Sequence, residues 1–295
     1  ELPAADVIVN PNQPDCPFPS KNLAGVGVIF YIMLALRAEL RRRGWFAGRE
    51  EPNLARYTDL VALGTVADVV PLDRNNRILV AAGLKRIRAG QARPGIMALL
   101  EIASRRPAAV VASDLGFAVG PRINAAGRLD DMSIGIECLL SETPAAARAL
   151  SRQLHQLNQD RRLIEREMQE EALRFLAGLQ LEEGDEPPVA MTLYQPGWHQ
   201  GVIGILASRI KERLHRPTIA FADGDPGQIK GSARSIPGIH IRDVLDAVAT
   251  RHPGLISKFG GHAMAAGLSL SRDAYGDFSR AFVEEVARHA EEVHL

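Results

Sequence analysis

Residues 259–267 read FGGHAMAAG and place three glycines and three alanines around a single histidine, His262. A backbone with such small side chains can approach a ligand closely. Consecutive N–H groups exposed by a turn of this kind form a concave anion site, and the imidazole adds a directional donor. We therefore predict a phosphate-holding loop built on Gly260, Gly261 and His262. The alternative is a glycine-rich turn around a core histidine.

A second polar cluster lies upstream, at residues 231–235, which read GSARS. The planar guanidinium of Arg234 can bind two phosphate oxygens at once, and the hydroxyl of Ser232 adds a further donor. Together the two clusters predict a phosphate-binding site in the second half of the chain.

The bulk composition is that of a soluble globular protein. The chain has 295 residues, of which 46% are hydrophobic and 24% charged, and this length favours about two domains. The formal net charge is zero, so a site for a polyanion must be a local patch. The two cysteines, Cys16 and Cys138, lack metal-site spacing, and we expect a reducing, cytoplasmic location. No apolar run reaches the length of a membrane span, and the first residues do not resemble a signal peptide.

The first half is predicted to be mostly helical. Its predicted elements are a buried strand at 6–9, a proline-rich loop at 10–20, an apolar helix within 21–43, amphipathic helices at 75–89 and 94–104, and a helix that begins within 113–120.

Asp68 lies in the apolar run GTVADVVPL at 64–72. Burying a carboxylate is costly unless it is paired or binds a metal. Asp68 is therefore the best candidate for a metal ligand in the first half. The alternative is a hydrogen-bonded or capping aspartate at the end of the preceding element.

A third small and polar stretch, PRINAAGRLDD, occupies residues 121–131. We predict a tight loop in which Arg122, Asn124 and Arg128 hold phosphate or orient Asp68. Alternatively, the two arginines form surface pairs with the aspartates that follow them.

A helix of about 35 residues is predicted from Pro144 to Gly178, because Thr143 is a good N-cap and apolar residues then recur at helical spacing. Arg161 interrupts the apolar stripe. Arg161 and Arg162 could therefore point into a groove, although a solvated pair is the simpler interpretation. The acidic stretch at 182–188 is predicted to be a linker.

The remaining residues alternate between strands and helices. His199 precedes a predicted helix, a natural position for an anion; the alternative is a turn packed on Trp198. The strands are predicted at 189–193, 218–222, 228–235 and 266–271, and the helices at 203–214, 241–250 and 275–293.

Taken together, these stretches resemble the RecJ family of single-strand-specific DNA exonucleases, within the DHH phosphoesterase superfamily. The match covers nearly the whole chain. The segments that carry it are NPNQPDCPFPSKNLAGVG at 10–27, GTVADVVPL at 64–72, PRINAAGRLDD at 121–131, WHQGVIGILASR at 198–209, GSARS at 231–235 and FGGHAMAAG at 259–267.

The resemblance implies an α/β protein with three parts. Residues 1–140 would be the C-terminal part of a DHH catalytic domain, 141–185 a long connecting helix and linker, and 186–295 a DHH-associated substrate-binding domain. Single-stranded DNA would thread the cleft between the domains and be hydrolysed stepwise from its 5′ end with Mn²⁺ or Mg²⁺, in DNA repair and recombination.

The resemblance also implies roles for individual residues. Asp68 matches the family's late metal-binding aspartate. The substrate-side matches are Ser232, Arg234, His262, Gly260 and Gly261, with Arg122, Asn124 and Arg128 near the active cleft.

The family's metal site also needs an upstream Asp-rich motif, a further aspartate and the namesake Asp-His-His, which do not occur in this sequence. One carboxylate cannot hold a two-metal centre. We therefore expect a fragment that is inactive by itself and does not bind the metal stably.

Two other functions remain open. The first is a non-catalytic nucleic-acid-binding or scaffold module, and the second is a phosphodiesterase of oligonucleotides or cyclic dinucleotides. By resemblance, the expected partners are single-stranded DNA and a helicase or single-strand-binding protein, and we expect a monomer.

Overall fold

A computed structural model describes residues 4–178 and 188–293. The chain divides into two compact units, unit 1 (Glu1–Asn158) and unit 2 (Gln159–Leu295). The division at 140 and 185 expected from the family stays a prediction. The predicted linker at 182–188 lies, apart from Pro188, outside the described residues.

Helices are the only regular elements in the described part of unit 1. Its main core is formed by apolar side chains that include Val80, Leu99, Leu115 and Leu154. Pro94 starts one of the helices, as its fixed φ angle and missing N–H favour. The helices are α1 (Gly25–Arg42), α2 (Thr58–Ala67), α3 (Arg74–Arg88), α4 (Pro94–Ile102), the single turn α5 (Ala112–Asp114), α6 (Gly120–Leu129), α7 (Ser133–Leu140) and α8 (Pro144–Gly178).

The strand predicted at 6–9 is wrong. Val7 is 77% exposed and Val9 57% exposed, and the described residues of unit 1 contain no strand with which the segment could pair. An apolar triplet becomes a strand only where a neighbouring strand satisfies its backbone hydrogen bonds.

Asp73 caps the N-terminus of α3. Its carboxylate accepts a hydrogen bond from the backbone N–H of Asn76 (2.9 Å) and another from the hydroxyl of Ser20 (2.6 Å). The second bond fastens the proline-rich segment to α3, because Ser20 is buried there. The hydrogen bond from Asn76, followed by that from Ser20, lowers the pKa of Asp73.

Replacing Asp73 with alanine should lower the free energy of unfolding of unit 1 by about 1 kcal/mol, the usual cost of losing an N-cap. Asp73→Asn is the matched control, because asparagine also caps helices. The folded-state pKa of Asp73 is lowered. The carboxylate therefore contributes its full share of the free energy of unfolding above the unfolded-state pKa, and this share is lost as the pH falls through the folded-state pKa. Urea unfolding at neutral and acidic pH measures both effects. Equal stability of the alanine and wild-type chains at neutral pH would contradict the assignment.

Unit 2 contains a five-stranded mixed sheet in the order β1-β2-β3-β5-β4. Strands β1 and β2 are parallel and joined through α9, whereas the other neighbouring pairs are antiparallel. The mixed α/β class predicted from the sequence is confirmed. The elements are β1 (Met191–Tyr194), α9 (Ile203–Leu214), β2 (Thr218–Asp223), β3 (Gln228–Arg234), α10 (Ile241–Arg251), β4 (Lys258–Gly261), β5 (Ala265–Ser271) and α11 (Tyr275–Val293).

One face of this sheet carries the core of unit 2. Ile229 and Ala233 of β3 are buried there with Leu268 of β5, against Val244 of α10 and Phe278 of α11. Successive strand residues point to opposite faces. The residues of β3 and β5 that alternate with these therefore lie on the other face.

The long helix predicted between Pro144 and Gly178 is confirmed as α8, which has 35 residues. It begins in unit 1 and ends in unit 2. Throughout residues 4–178 and 188–293, no helix combines the length and apolarity needed to cross a membrane.

Candidate phosphate-binding site

Ser232 and Arg234 lie on the face of the sheet that is opposite the core of unit 2. Both are half-buried and alternate along β3 with the buried Gly231 and Ala233. Nη1 of Arg234 donates to the hydroxyl oxygen of Ser232 (2.9 Å) and to the backbone oxygen of Ala233 (2.8 Å). These bonds orient the guanidinium before any ligand arrives.

Gly204, in the first turn of α9, lies directly against this pair. A Cβ added there would lie 2.8 Å from Nη2 of Arg234 and 3.0 Å from the hydroxyl oxygen of Ser232. The glycine therefore lets the start of α9 approach the guanidinium. Backbone N–H groups at a helix N-terminus favour anions. Ser232 and Arg234 lie on β3 and Gly204 on α9, so the fold brings the glycine to a pair that is close in sequence.

A row of glycines continues from Ser232 across the sheet. Ser232 pairs with Gly267 of β5, which pairs with Gly260 of β4, and residues opposite each other share a face. Both glycines are exposed. A Cβ added at Gly260 would meet no atom within 4 Å, and one at Gly267 only the backbone oxygen of Gly231 at 3.9 Å. This face therefore presents bare backbone beside Ser232.

The predicted loop at 259–267 is in fact mostly a β-hairpin formed by β4 and β5. The N–H of His262 donates to the backbone oxygen of Ala265 (2.8 Å). Because the hairpin uses this N–H, it does not form part of the predicted anion-binding concavity. The imidazole of His262, by contrast, is exposed at the turn and is available to a ligand. The alternative of a core histidine is therefore wrong.

Gly261 differs from its neighbour Gly260. A Cβ added at Gly261 would lie 2.4 Å from the backbone oxygen of Ala265 and 2.5 Å from Cα of Ala266. Gly261 is therefore required for the close packing of the hairpin, whereas Gly260 leaves open space.

Two lysines flank the glycine row. Lys230 of β3 and Lys258 of β4 both pair with Ser269 of β5, two residues along from the row that contains Ser232. Nζ of Lys230 lies 3.9 Å from a carboxylate oxygen of Asp225. The open face of β3, β5 and β4 thus carries arginine and lysine side chains around exposed glycine backbone, a suitable environment for phosphate.

His199 lies on the turn that leads into α9, as predicted. It is exposed, and its Nδ1 accepts a hydrogen bond from the N–H of Gly201 (3.1 Å). Trp198 beside it is buried and donates from Nε1 to the carboxylate of Glu171 in α8 (2.7 Å). The alternative of a turn packed on Trp198 therefore holds for the tryptophan, while the histidine itself faces solvent.

Asp223 fastens the same turn, and the sequence did not single it out. Its carboxylate accepts from the hydroxyl of Tyr194 (2.8 Å), the N–H of Gly197 (3.3 Å) and Nη2 of Arg272 (2.7 Å). The hydrogen bond from Tyr194 is the largest cause that lowers the pKa of Asp223. The available signal was an aspartate at the end of a strand, where a carboxylate commonly organises a neighbouring loop.

Asp68 is exposed at the C-terminal end of α2. Among residues 4–178 and 188–293, no group of three or more histidine, cysteine, aspartate or glutamate side chains is arranged to hold a metal ion. The described residues therefore do not by themselves fit the metal centre that the family resemblance implies. No catalytic step through a metal follows from them.

The predicted tight loop at 121–131 is wrong, because residues Gly120–Leu129 form the helix α6. The first turn of α6 adjoins the end of α2, since a Cβ added at Gly120 would lie 3.4 Å from that of Ala67. A π-helical turn, Leu115–Val119, precedes it, so the helix predicted to begin within 113–120 is present and continues through this turn into α6. Such π-turns are frequent at functional sites.

The helix separates the three polar residues of this segment. Arg122 donates to Nδ1 of His155 (3.1 Å) and to the backbone oxygen of Ala118 (2.5 Å). Asn124 and Arg128 are exposed and four residues apart, so they share another face of α6. The local structure predicted for this segment is therefore wrong, and a role of these residues beside Asp68 stays a prediction.

The chain is similar to known proteins over nearly its whole length. Residues 186–288 match the DHHA1 domain. The chain is 62% identical over 287 residues to the single-stranded-DNA-specific exonuclease RecJ of Dickeya dadantii, with 97% of this chain and 50% of that protein covered. It is 60% identical to RecJ of Escherichia coli with the same coverage.

Solved structures show the same similarity. RecJ of Thermus thermophilus in complex with Mg²⁺ matches with a TM-score of 0.76 and 33% identity, and the match covers 92% of this chain and 39% of that one. An exonuclease RecJ bound to manganese matches with a TM-score of 0.75 and 34% identity, over 92% of this chain and 63% of that one. The chain thus resembles RecJ over nearly its whole length, and it spans about half the length of the curated relatives it matches.

Proposed function

We propose that the chain is part of a metal-dependent exonuclease that hydrolyses the phosphodiester bonds of single-stranded DNA from the 5′ end. Its unit 2 would hold the terminal phosphate. The observation that carries this proposal is the placement of Arg234 and Ser232 beside the start of α9 and the exposed row formed by Gly267 and Gly260.

The residues of this site are suited to positioning. The guanidinium of Arg234 offers a rigid fork that matches two phosphate oxygens, and its bonds to Ser232 and Ala233 hold it in place. The bare backbone at Gly260 and Gly267 lets a phosphate or sugar approach the sheet. His262 and His199 are exposed and are proposed as further donors. Holding a phosphodiester in one orientation removes much of the entropic barrier to attack by water.

Metal dependence is proposed from the relatives, because RecJ has been solved with Mg²⁺ and with Mn²⁺. Such ions generate a nucleophile from bound water at neutral pH. Asp68 is the metal ligand proposed from this chain, and Arg122, Asn124 and Arg128 are proposed to act near it.

Further assignments rest on the family resemblance. They are a role in DNA repair and recombination, a cytoplasmic location, a monomeric state, and a helicase or single-strand-binding protein as partner. The domain division at 140 and 185 is proposed on the same ground.

The direct test uses the complete gene product with single-stranded DNA labelled at its 5′ end and Mn²⁺ or Mg²⁺. We expect stepwise release of mononucleotides from the 5′ end, with little cleavage of a blunt duplex. A dinucleotide and a cyclic dinucleotide serve as comparison substrates. Preference for either of these over the long strand would support the small-substrate alternative, and binding without cleavage would support the non-catalytic one.

The two adjacent glycines of the hairpin provide a matched pair of variants. Gly260→Ala adds a methyl group to open space on the exposed face. We expect its melting temperature to be unchanged and its affinity for a 5′-phosphorylated oligonucleotide to fall about tenfold, because the methyl obstructs close approach. Gly261→Ala should instead destabilise unit 2 by about 1–3 kcal/mol through overpacking.

Thermal unfolding and fluorescence anisotropy measure the two effects. Full affinity of a correctly folded Gly260→Ala variant would show that the glycine row is not part of the binding surface.

A further inference from the structure

A groove of about 430 Å³ lies between α8 and α9 within unit 2. Four arginines line it, three from α8 (Arg161, Arg162 and Arg166) and one from α9 (Arg209), against a single lining carboxylate, Glu165. The chain as a whole has no net charge, so this groove is a local concentration of positive charge. Arg161 is half-buried in this groove and Arg162 is exposed, so the solvated alternative fits only Arg162.

The charges are held in place by Glu165. Its carboxylate accepts from Nη1 of Arg161 at 2.9 Å and lies 3.5 Å from Nε of Arg209. The side chains of Arg161 and Glu165 are only 13% and 15% exposed. The centre of the groove is therefore ordered before a ligand binds.

The other two arginines, Arg162 and Arg166, repel each other when no ligand is bound. Arg162 and Arg166 are exposed and four residues apart on α8, so like charges face each other one turn apart, which opposes helix stability. Within the described residues, neither side chain forms an ion pair. A bound polyanion would supply the missing negative charge.

The groove adjoins the candidate phosphate site through the first turn of α9. Ile205 lines the groove, and the preceding residue, Gly204, contacts Arg234 and Ser232. Adjacent residues of α9 thus line the groove and lie against Arg234, and the groove's arginine on this helix, Arg209, is about one turn further along. An acidic peptide would also suit four arginines, but this adjacency favours a ligand that carries a terminal phosphate and further phosphates along one chain.

We propose that the groove between α8 and α9 binds the sugar-phosphate backbone of single-stranded DNA whose 5′ phosphate is held at Arg234. This second subsite rests on the proposed function and extends it from the terminal phosphate to the nucleotides behind it. The subsite recognises charge and not sequence, since its contacts are to phosphates.

The test measures binding of 5′-phosphorylated oligodeoxythymidines by fluorescence anisotropy in EDTA over a range of KCl. One strand has about 2 nucleotides and reaches only the terminal-phosphate site, and the other has about 20 and also fills the groove. The variant is Arg162→Ala with Arg166→Ala. The matched control is Arg213→Ala with Arg242→Ala, which removes the same charge from exposed positions outside the groove. Arg162→Lys with Arg166→Lys retains the charge.

The groove variant should bind the 20-nucleotide strand at least about tenfold more weakly, with a salt slope less negative by about 1.4, as expected when two phosphate contacts to a single strand are lost. Its affinity for the dinucleotide should change less than about twofold. The lysine variant should retain most of the salt slope, and the matched control should resemble wild type.

Equal losses for both lengths, or a loss no larger than that of the control, would overturn the subsite. So would unchanged DNA binding together with weakened binding of an oligoglutamate peptide. Because EDTA prevents metal-dependent cleavage, the outcome is independent of the proposed reaction. A gene product that never cleaves DNA but shows the length-dependent loss would retain the subsite and refute the exonuclease.

Discussion

Replacing Arg234 with alanine should lower kcat/KM for 5′-phosphorylated single-stranded DNA by on the order of 10²-fold, the scale of loss expected when a contact that positions the substrate is removed. The guanidinium is already oriented by its bonds to Ser232 and Ala233. Little conformational entropy therefore opposes its binding of phosphate, and its loss is expected to be costly.

Arg234→Lys separates charge from geometry. Lysine retains the positive charge but lacks the planar fork, so we expect an intermediate loss of activity. Arg213→Ala, on the exposed side of α9, should have nearly wild-type activity. Steady-state assays of the complete gene product, with circular dichroism as a check on folding, measure these values. Wild-type kcat/KM in a folded Arg234→Ala variant would remove this residue from the site.

Replacing Asp68 with asparagine should reduce the activity of the complete gene product by at least about 10³-fold, because a metal centre contributes several kcal/mol to transition-state stabilisation. Stability should change little, since Asp68 is exposed at the end of α2. Asp6→Asn is the matched control, because Asp6 is also an exposed aspartate of unit 1.

Calorimetric titration of the complete gene product with Mn²⁺ measures metal affinity independently of activity. Asp68→Asn should weaken Mn²⁺ binding, whereas Arg234→Ala should leave it unchanged. Full activity of Asp68→Asn would exclude Asp68 from the metal site, and a loss of metal binding in Arg234→Ala would contradict the division of roles between the two residues.

The helices of this protein were the elements most accessible from sequence. Three helices have the bounds predicted from the sequence: α8 (Pro144–Gly178), α9 (Ile203–Leu214) and α11 (Tyr275–Val293). In each, apolar spacing of 3.6 residues agrees with the sequence signals at the ends. Local information suffices where one amphipathic helix packs through one face.

The hairpin at 259–267 was not predicted because its strands depend on distant partners. Gly260 and Gly261 have poor strand propensity, and their pairing with Gly267 and Ala266 of β5 is set by the sheet around them. The row from Ser232 to Gly260 likewise depends on register across β3, β5 and β4. Sequence identified these residues as candidates but not how they are arranged.

Two smaller errors have related causes. Residues 121–129 look like a loop because they combine proline, asparagine and glycine, yet proline is tolerated in the first turn of a helix, and Ala125 and Ala126 are buried against the core. The strand predicted at 6–9 lacked a partner strand in the described part of unit 1. In both cases tertiary context outweighed local composition.

The central claim is that unit 2 holds a terminal phosphate through Arg234. The most direct measurement compares the affinity of the chain, in EDTA, for two single strands of about 20 nucleotides, a length sufficient to fill an extended binding channel. The two strands are identical except that one carries a 5′ phosphate and the other a 5′ hydroxyl. We predict that the phosphate improves affinity at least about tenfold, the value of one hydrogen-bonded charged group, and that Arg234→Ala abolishes this difference. Equal affinities in the wild-type chain, or a difference that survives in Arg234→Ala, would contradict the account.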